Sequence, residues 1–109
     1  MSLFRYETDA NGVPTAHPIA GAHAGLARFL NEEVSSVGYA DVLLDSIREA
    51  KESEKAQVST GNSWAAEIGP VDVTIRHLHV GGHKEVSEVL AVFERAVGEW
   101  RALLSGSEA

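Results

Sequence analysis

The last quarter of the chain carries its strongest periodic signal, a stripe of apolar residues at spacings of three and four. The stripe consists of Val86, Val89, Leu90, Phe93, Val97, Trp100 and Leu104. Because residues at these spacings fall on one side of an α-helix, the stripe predicts a helix from about Lys84 to Leu104. Such a helix buries one face, so the rest of the chain has to supply elements for it to pack against.

Alternating residues at the start of the chain predict a β-hairpin. Leu3 to Glu7 alternates between apolar and polar side chains, which is typical of a half-buried strand. Asn11-Gly12 takes positive φ readily and predicts the turn. The returning segment, Val13 to Ile19, contains two prolines, which lack the N–H that a central strand donates. We therefore expect an edge strand or an irregular one.

A second β region is predicted from Gln57 to Leu78. Gly61-Asn62 and Gly69-Pro70 are turn signals that divide this region. One predicted strand has Trp64, Ala66 and Ile68 on a common face, and the next has Val71, Val73 and Ile75 on a common face. The region therefore predicts two or three antiparallel strands.

Two further helices are predicted between these β regions. The first runs from about Ala22 to Ser35, and the second, after Gly38, from about Tyr39 to Lys55. The predicted order is β-β-α-α-β-β(-β)-α. The fold class that follows is α+β, with a small antiparallel sheet and three helices packed on one face. A length of 109 residues predicts a single domain over residues 1–109.

The charge balance restricts the possible partners. Nine Lys and Arg against 16 Asp and Glu give a net charge of −7. This excess of acids argues against nucleic acid and anionic membrane surfaces as partners, since both require clustered cations. It permits a basic protein partner, because complementary charge speeds association. The alternative is that the charge only keeps a small protein in solution.

The absence of cysteine excludes several kinds of site. Disulfides, thiolate nucleophiles and cysteine-based zinc sites require a residue that the chain lacks. Met1 to Asn11 has no apolar run, so no signal peptide is predicted there, and no stretch is long enough to span a bilayer. We expect a cytoplasmic protein, and no motif predicts a cofactor.

Acidic residues are concentrated on the second predicted helix. Between residues 31 and 56 there are seven acids and three bases. Spacings of four, four and three place a group of these acids on one side, opposite the apolar face: Asp41, Asp45, Glu49 and Glu52. The pattern fits a docking surface for a basic protein, and it also fits an ordinary solvated helix face.

The histidines offer an alternative site. His77, His79 and His83 have a spacing at which the first two share a strand face and the third arrives from a glycine turn, so the three could meet one metal ion. His77 and His79 equally fit half-exposed positions at the end of a strand. No nucleophile or phosphate-binding motif is present. Glu32 and Glu33 are adjacent carboxylates, but neighbours on a helix point about 100° apart and do not converge.

A resemblance to a known family accompanies these patterns. The block from Phe29 to Val34, preceded by Gly21-Ala22-His23, resembles the YacL-type family of small uncharacterised bacterial proteins. Leu43-Leu44-Asp45, Ser63-Trp64 and Val73-Thr74-Ile75-Arg76 follow in the same order over about Phe4 to His77. Gly81-Gly82-His83 is shorter than the acidic insertion that the family leads us to expect. The resemblance implies a shared α+β fold and no activity or functional residues.

The predicted function is a non-catalytic, acidic protein-interaction domain, in its most concrete form a bacterial immunity protein that neutralises a basic nuclease toxin. Tyr39 and Trp64 are the predicted anchors. The full set of predicted partner-binding residues is Glu33, Tyr39, Asp41, Asp45, Glu49, Glu52 and Trp64. Two alternatives stay open: a small metal-binding or hydrolase domain that uses the three histidines, and a housekeeping adaptor.

Overall fold

A computed structural model describes residues 2–78 and 85–106 of the chain. Within these residues the element order is β-β-α-α-β-β-β-β-α, which confirms the predicted α+β fold. The elements are β1 (Phe4–Thr8), β2 (Pro14–Pro18), α1 (Ala24–Glu33), α2 (Val37–Ser53), β3 (Gln57–Thr60), β4 (Trp64–Ile68), β5 (Asp72–His77), β6 (Val86–Val89) and α3 (Leu90–Ser105).

The strands form two antiparallel sheets rather than the one that the sequence predicts. β1 and β2 make a two-stranded hairpin, and β3, β4, β5 and β6 make a four-stranded sheet in that order. The hairpin turn contains Gly12 at a φ of 82°, as Asn11-Gly12 predicts. Asp9 supports the turn, because its side chain accepts hydrogen bonds from the backbone N–H groups of Asn11 and Val13. Pro14 and Pro18 begin and end β2, an edge strand as predicted.

The helix predicted from about Lys84 begins instead at Leu90. Val86–Val89 is a strand that pairs with β5, with Val86 opposite Ile75 and Val89 opposite Asp72. The sequence pattern over these residues is compatible with either a helix or a strand. Val86 and Val89 fit the helical stripe, but β-branched residues also favour strands. In the strand, Val86 and Glu88 point inward while Ser87 and Val89 are exposed. Val89 is 59% exposed and therefore contributes nothing to the buried stripe.

The second helix is shifted towards the N-terminus relative to its predicted span. α2 starts at Val37 because Ser36 caps it: the Ser36 side chain accepts a hydrogen bond from the backbone N–H of Tyr39. Gly38 lies in the first turn, so it does not interrupt the helix. The helix ends before Glu54, which has a φ of 59°.

The core lies between the four-stranded sheet and the helices. The apolar residues predicted to face the core from the helices are mostly buried. Leu44, Val86 and Leu104 are partly buried, and Val89 is exposed. On the sheet, Trp64, Ala66, Ile68, Val73 and Ile75 point into the core as predicted. Val71 was predicted to share that face but is 71% exposed, because it lies in the turn before β5. The other face of the sheet carries an exposed cross-strand row that includes Val58, Glu67 and Ser87.

Candidate functional site at the junction of α1 and α2

Residues at the end of α1 bind two other parts of the fold, β2 and α3. The Asn31 side chain pairs with the backbone of Ala16 in β2: its Oδ1 accepts from the Ala16 N–H at 2.8 Å, and its Nδ2 donates to the Ala16 carbonyl at 2.9 Å. The Val34 carbonyl accepts a 2.6 Å hydrogen bond from the Trp100 indole of α3. The block that carries the family resemblance therefore connects the hairpin to the helices.

Glu33, at the end of α1, holds the loop between β3 and β4. Its Oε1 accepts hydrogen bonds from the backbone N–H groups of Ser63 (2.7 Å) and Trp64 (2.8 Å), and its Oε2 accepts one from Asn62 (3.1 Å). The loop approaches so closely that a Cβ on Gly61 would lie 2.3 Å from the Glu33 carboxyl carbon. Glu33 is 9% exposed, so its charge is stabilised mainly by backbone donors.

The neighbouring Glu32 holds the indole of Trp64. Its Oε1 accepts a 3.0 Å hydrogen bond from the Trp64 Nε1–H, and its Oε2 accepts a 2.7 Å bond from Arg28. Partial burial opposes ionisation of Glu32. The hydrogen bonds from Arg28 and Trp64, together with electrostatic interactions with Arg28 and His77, outweigh burial and hold the pKa of Glu32 below its usual range.

An open cavity of about 360 Å³ lies beside Glu33, between the end of α1, the start of α2 and the β3–β4 loop. It is lined by Glu33, Ser35, Tyr39, Thr60, Gly61 and Asn62, none of which is basic. The Tyr39 hydroxyl lies 3.4 Å from the Ser59 Oγ. Burial raises the pKa of Tyr39, and the negative charge of Glu33 raises it further, so the phenol stays neutral at physiological pH.

The acids predicted along α2 do share one side of the helix, but they differ in their partners. Asp41 forms an ion pair with Arg101 of α3, with a distance of 2.5 Å between Oδ1 and Nε. Asp45 lies 3.2 Å from Arg48, and both side chains are about two-thirds exposed. Within the described part of the chain, Glu49 and Glu52 are exposed and form no ion pair. We call Asp45, Glu49 and Glu52 the acidic face of α2.

Two of the predicted partner-binding residues are buried in the fold. Trp64 is 3% exposed and Glu33 is 9% exposed, so neither lies on the open surface of the protein; Glu33 lines the cavity instead. A signal for Glu33 was available in the sequence, since it lies four residues after Phe29 and seven after Leu26, on the buried stripe of α1. Tyr39 is half-buried and keeps an accessible position at the cavity.

Of the three histidines of the alternative site, His77 lies among the described residues. His77 ends β5, where its ring packs edge-on against Trp64 and its Nε2 lies 3.9 Å from a Glu32 oxygen. His79 and His83 lie outside the described residues. Over residues 2–78 and 85–106, no group of three or more histidines and carboxylates is arranged to hold a metal ion.

No family model, curated protein or solved structure matches this chain. The resemblance to the YacL-type family therefore stays a prediction. Among the helices of the described residues, none combines the length and the apolar character that crossing a membrane requires.

Proposed function

We propose that this chain is a non-catalytic interaction domain that binds a basic protein through the acidic face of α2. The most concrete form of the proposal is a bacterial immunity protein that acts in the cytoplasm and neutralises a basic nuclease toxin. The observation that carries the proposal is the clustering of three exposed carboxylates on one helix face, two of them without an ion-pair partner in the described part of the chain.

The spacing of these carboxylates explains why they act together. At about 100° per residue, Asp45, Glu49 and Glu52 fall within an arc of about 60° on the helix surface. Val42 lies about 20° from Glu49 on the same wheel and is 50% exposed, so the face also offers an apolar contact. Exposed carboxylates steer a basic partner during association, whereas apolar contacts contribute more to the lifetime of a complex.

The adjacent carboxylates of α1 support a non-catalytic role. Glu32 and Glu33 are the nearest approach to a pair of catalytic acids, but Glu32 binds the Trp64 indole and Glu33 binds three backbone amides. Both are thus engaged in holding β4 and the loop that precedes it. A general acid or base needs a position from which it can reach a substrate proton, and these bonds occupy most of that capacity.

The test is capture of the partner from native cell lysate with two variants of equal charge. The reversal E49K/E52K changes the acidic face of α2, and the control E67K/D72K makes the same charge change on the exposed face of the four-stranded sheet. We expect mass spectrometry to find one stoichiometric basic protein with the wild type and the control, and to find it lost with E49K/E52K.

Association kinetics with the captured partner sharpen this test. Reversal of two steering charges should slow association by about 10-fold or more at low salt and flatten its salt dependence. If E49K/E52K and E67K/D72K associate at the same rate, the acidic face of α2 is not the docking surface.

A further inference from the structure

We infer that the cavity beside Glu33 is a binding site for a cationic side chain, and for arginine in particular. The inference rests on the proposed function for the source of that side chain, which would be the basic partner. The cavity is separate from the acidic face of α2 and differs from it in kind, because its negative charge is 9% exposed rather than freely solvated.

The Glu33 carboxylate has capacity for one more donor. An ionised carboxylate offers about four acceptor positions on its two oxygens. Oε1 accepts two hydrogen bonds and Oε2 accepts one, all three from the backbone of the β3–β4 loop. The cavity lies against this carboxylate, and its lining contains no Lys, Arg or His. A cation that entered would meet a formal negative charge with reduced solvent screening and no competing positive charge on the walls.

The rest of the lining suits a guanidinium group. Ser35 and Thr60 carry hydroxyl oxygen atoms that can accept hydrogen bonds, and Tyr39 contributes an aromatic side chain. Arginine presents several N–H donors in one plane and also stacks on aromatic rings, whereas lysine presents a compact charge that is more strongly hydrated. This combination of one carboxylate, neutral acceptors and a tyrosine therefore favours arginine over lysine.

The position of the cavity connects it to the docking surface. Tyr39 lies in the first turn of α2, six residues before Asp45, which corresponds to about 9 Å along the helix axis. Tyr39 also lies about 120° around the helix from Asp45, so a partner that contacts both regions has to reach around the start of α2. In this arrangement the acidic face of α2 attracts the partner, and the cavity fixes its register by holding one side chain.

The test uses methylguanidinium as the probe, so it needs no identified partner. ¹⁵N-labelled protein is titrated with methylguanidinium chloride at constant ionic strength, and N-methylurea serves as the uncharged control. We expect saturable shifts of the amide signals of residues 61–64, with a dissociation constant on the order of millimolar, and no such shifts with N-methylurea. Equal shifts with both compounds, or shifts confined to the acidic face of α2, would overturn the inference.

A rim substitution tests the location without disturbing the Glu33 contacts. S35R places a cation at the cavity, and S87R makes the same change on the exposed face of the sheet. Binding of methylguanidinium should weaken at least 10-fold in S35R and stay unchanged in S87R. Equal binding by the two variants would overturn the inference. If methylguanidinium binds saturably but the lysate yields no protein partner, the cavity is a cation site and the proposed function is wrong.

Discussion

Removal of the Glu33 side chain should destabilise the fold far more than removal of an exposed acid from α2. In E33A three backbone N–H groups lose their acceptor, and one of them, on Trp64, is buried. A buried donor without a partner costs about 1–3 kcal/mol. The amides of Asn62 and Ser63 are partly buried beside an open cavity, so water restores much of their bonding and each costs about 0.5 kcal/mol.

The expected loss for E33A is therefore about 2–4 kcal/mol, a large part of the 5–15 kcal/mol that typically stabilises a folded domain. The E33Q variant removes the charge of the side chain but keeps its size and shape. Its amide oxygen can still accept from Ser63 and Trp64, while its NH₂ group faces the Asn62 N–H, donor against donor. We expect a smaller loss of about 1–2 kcal/mol for E33Q.

Urea unfolding followed by tryptophan fluorescence measures these differences, because Trp64 adjoins the loop that Glu33 holds. E49A is the matched control: it removes an exposed carboxylate without an ion pair in the described part of the chain, and it should stay within about 0.5 kcal/mol of the wild type. A midpoint for E33A equal to that of E49A, at an unchanged slope, would refute the view that this carboxylate holds the β3–β4 loop.

Two further predictions follow from burial and from backbone geometry. The pKa values of Tyr6 and Tyr39 are raised, with burial as the largest cause, so the stability they contribute is fully present below about pH 10 and is lost as the pH rises above it. Absorbance at 295 nm and pH 10 should therefore show less tyrosinate in the folded protein than in the unfolded protein. In the Y39F variant, where Tyr6 is the remaining tyrosine, ionisation should accompany unfolding, and normal titration of the folded variant would contradict the prediction for Tyr6. G98A and G61A should have opposite effects, since a Cβ at Gly98 in α3 meets nothing within 4 Å, whereas one at Gly61 meets the Glu33 carboxyl. Urea unfolding should show G98A stabilised by about 0.5–1 kcal/mol and G61A destabilised, and equal midpoints would contradict the close approach at Gly61.

The spacing of apolar residues predicts an element well where it fits either a helix or a strand but not both. The alternation of β1 and the common face of Trp64, Ala66 and Ile68 in β4 depend on spacing within one element, and both agree with the structure. The boundary between β6 and α3 could not be predicted in the same way. Val86 and Val89 fit the helical spacing, but as β-branched residues they also favour strands, and the choice depends on the pairing of Val86 with Ile75 of β5.

The candidate site was harder to predict because its geometry is tertiary. Nothing in the spacing between Glu33 and Ser63 indicates that a carboxylate at the end of α1 meets the backbone of a loop about thirty residues later. Likewise, a tryptophan beside a turn fits an exposed anchor as well as a buried residue. Trp64 is buried, and Glu32 at the surface of α1 accepts a hydrogen bond from its indole N–H, which removes the cost of an unpaired donor.

The acidic segment between residues 31 and 56 shows why charge density in a sequence overstates the charge that is available for docking. Glu32 and Glu33 are engaged in holding β4 and its loop, and Asp41 is paired with Arg101. Fewer carboxylates are left for a partner, namely Asp45, Glu49 and Glu52. They stay on one side of α2 because they are spaced four and three residues apart. The acids of this segment thus have two roles. Those at the end of α1 stabilise the fold, and those along α2 supply the negative electrostatic potential that a basic partner would meet.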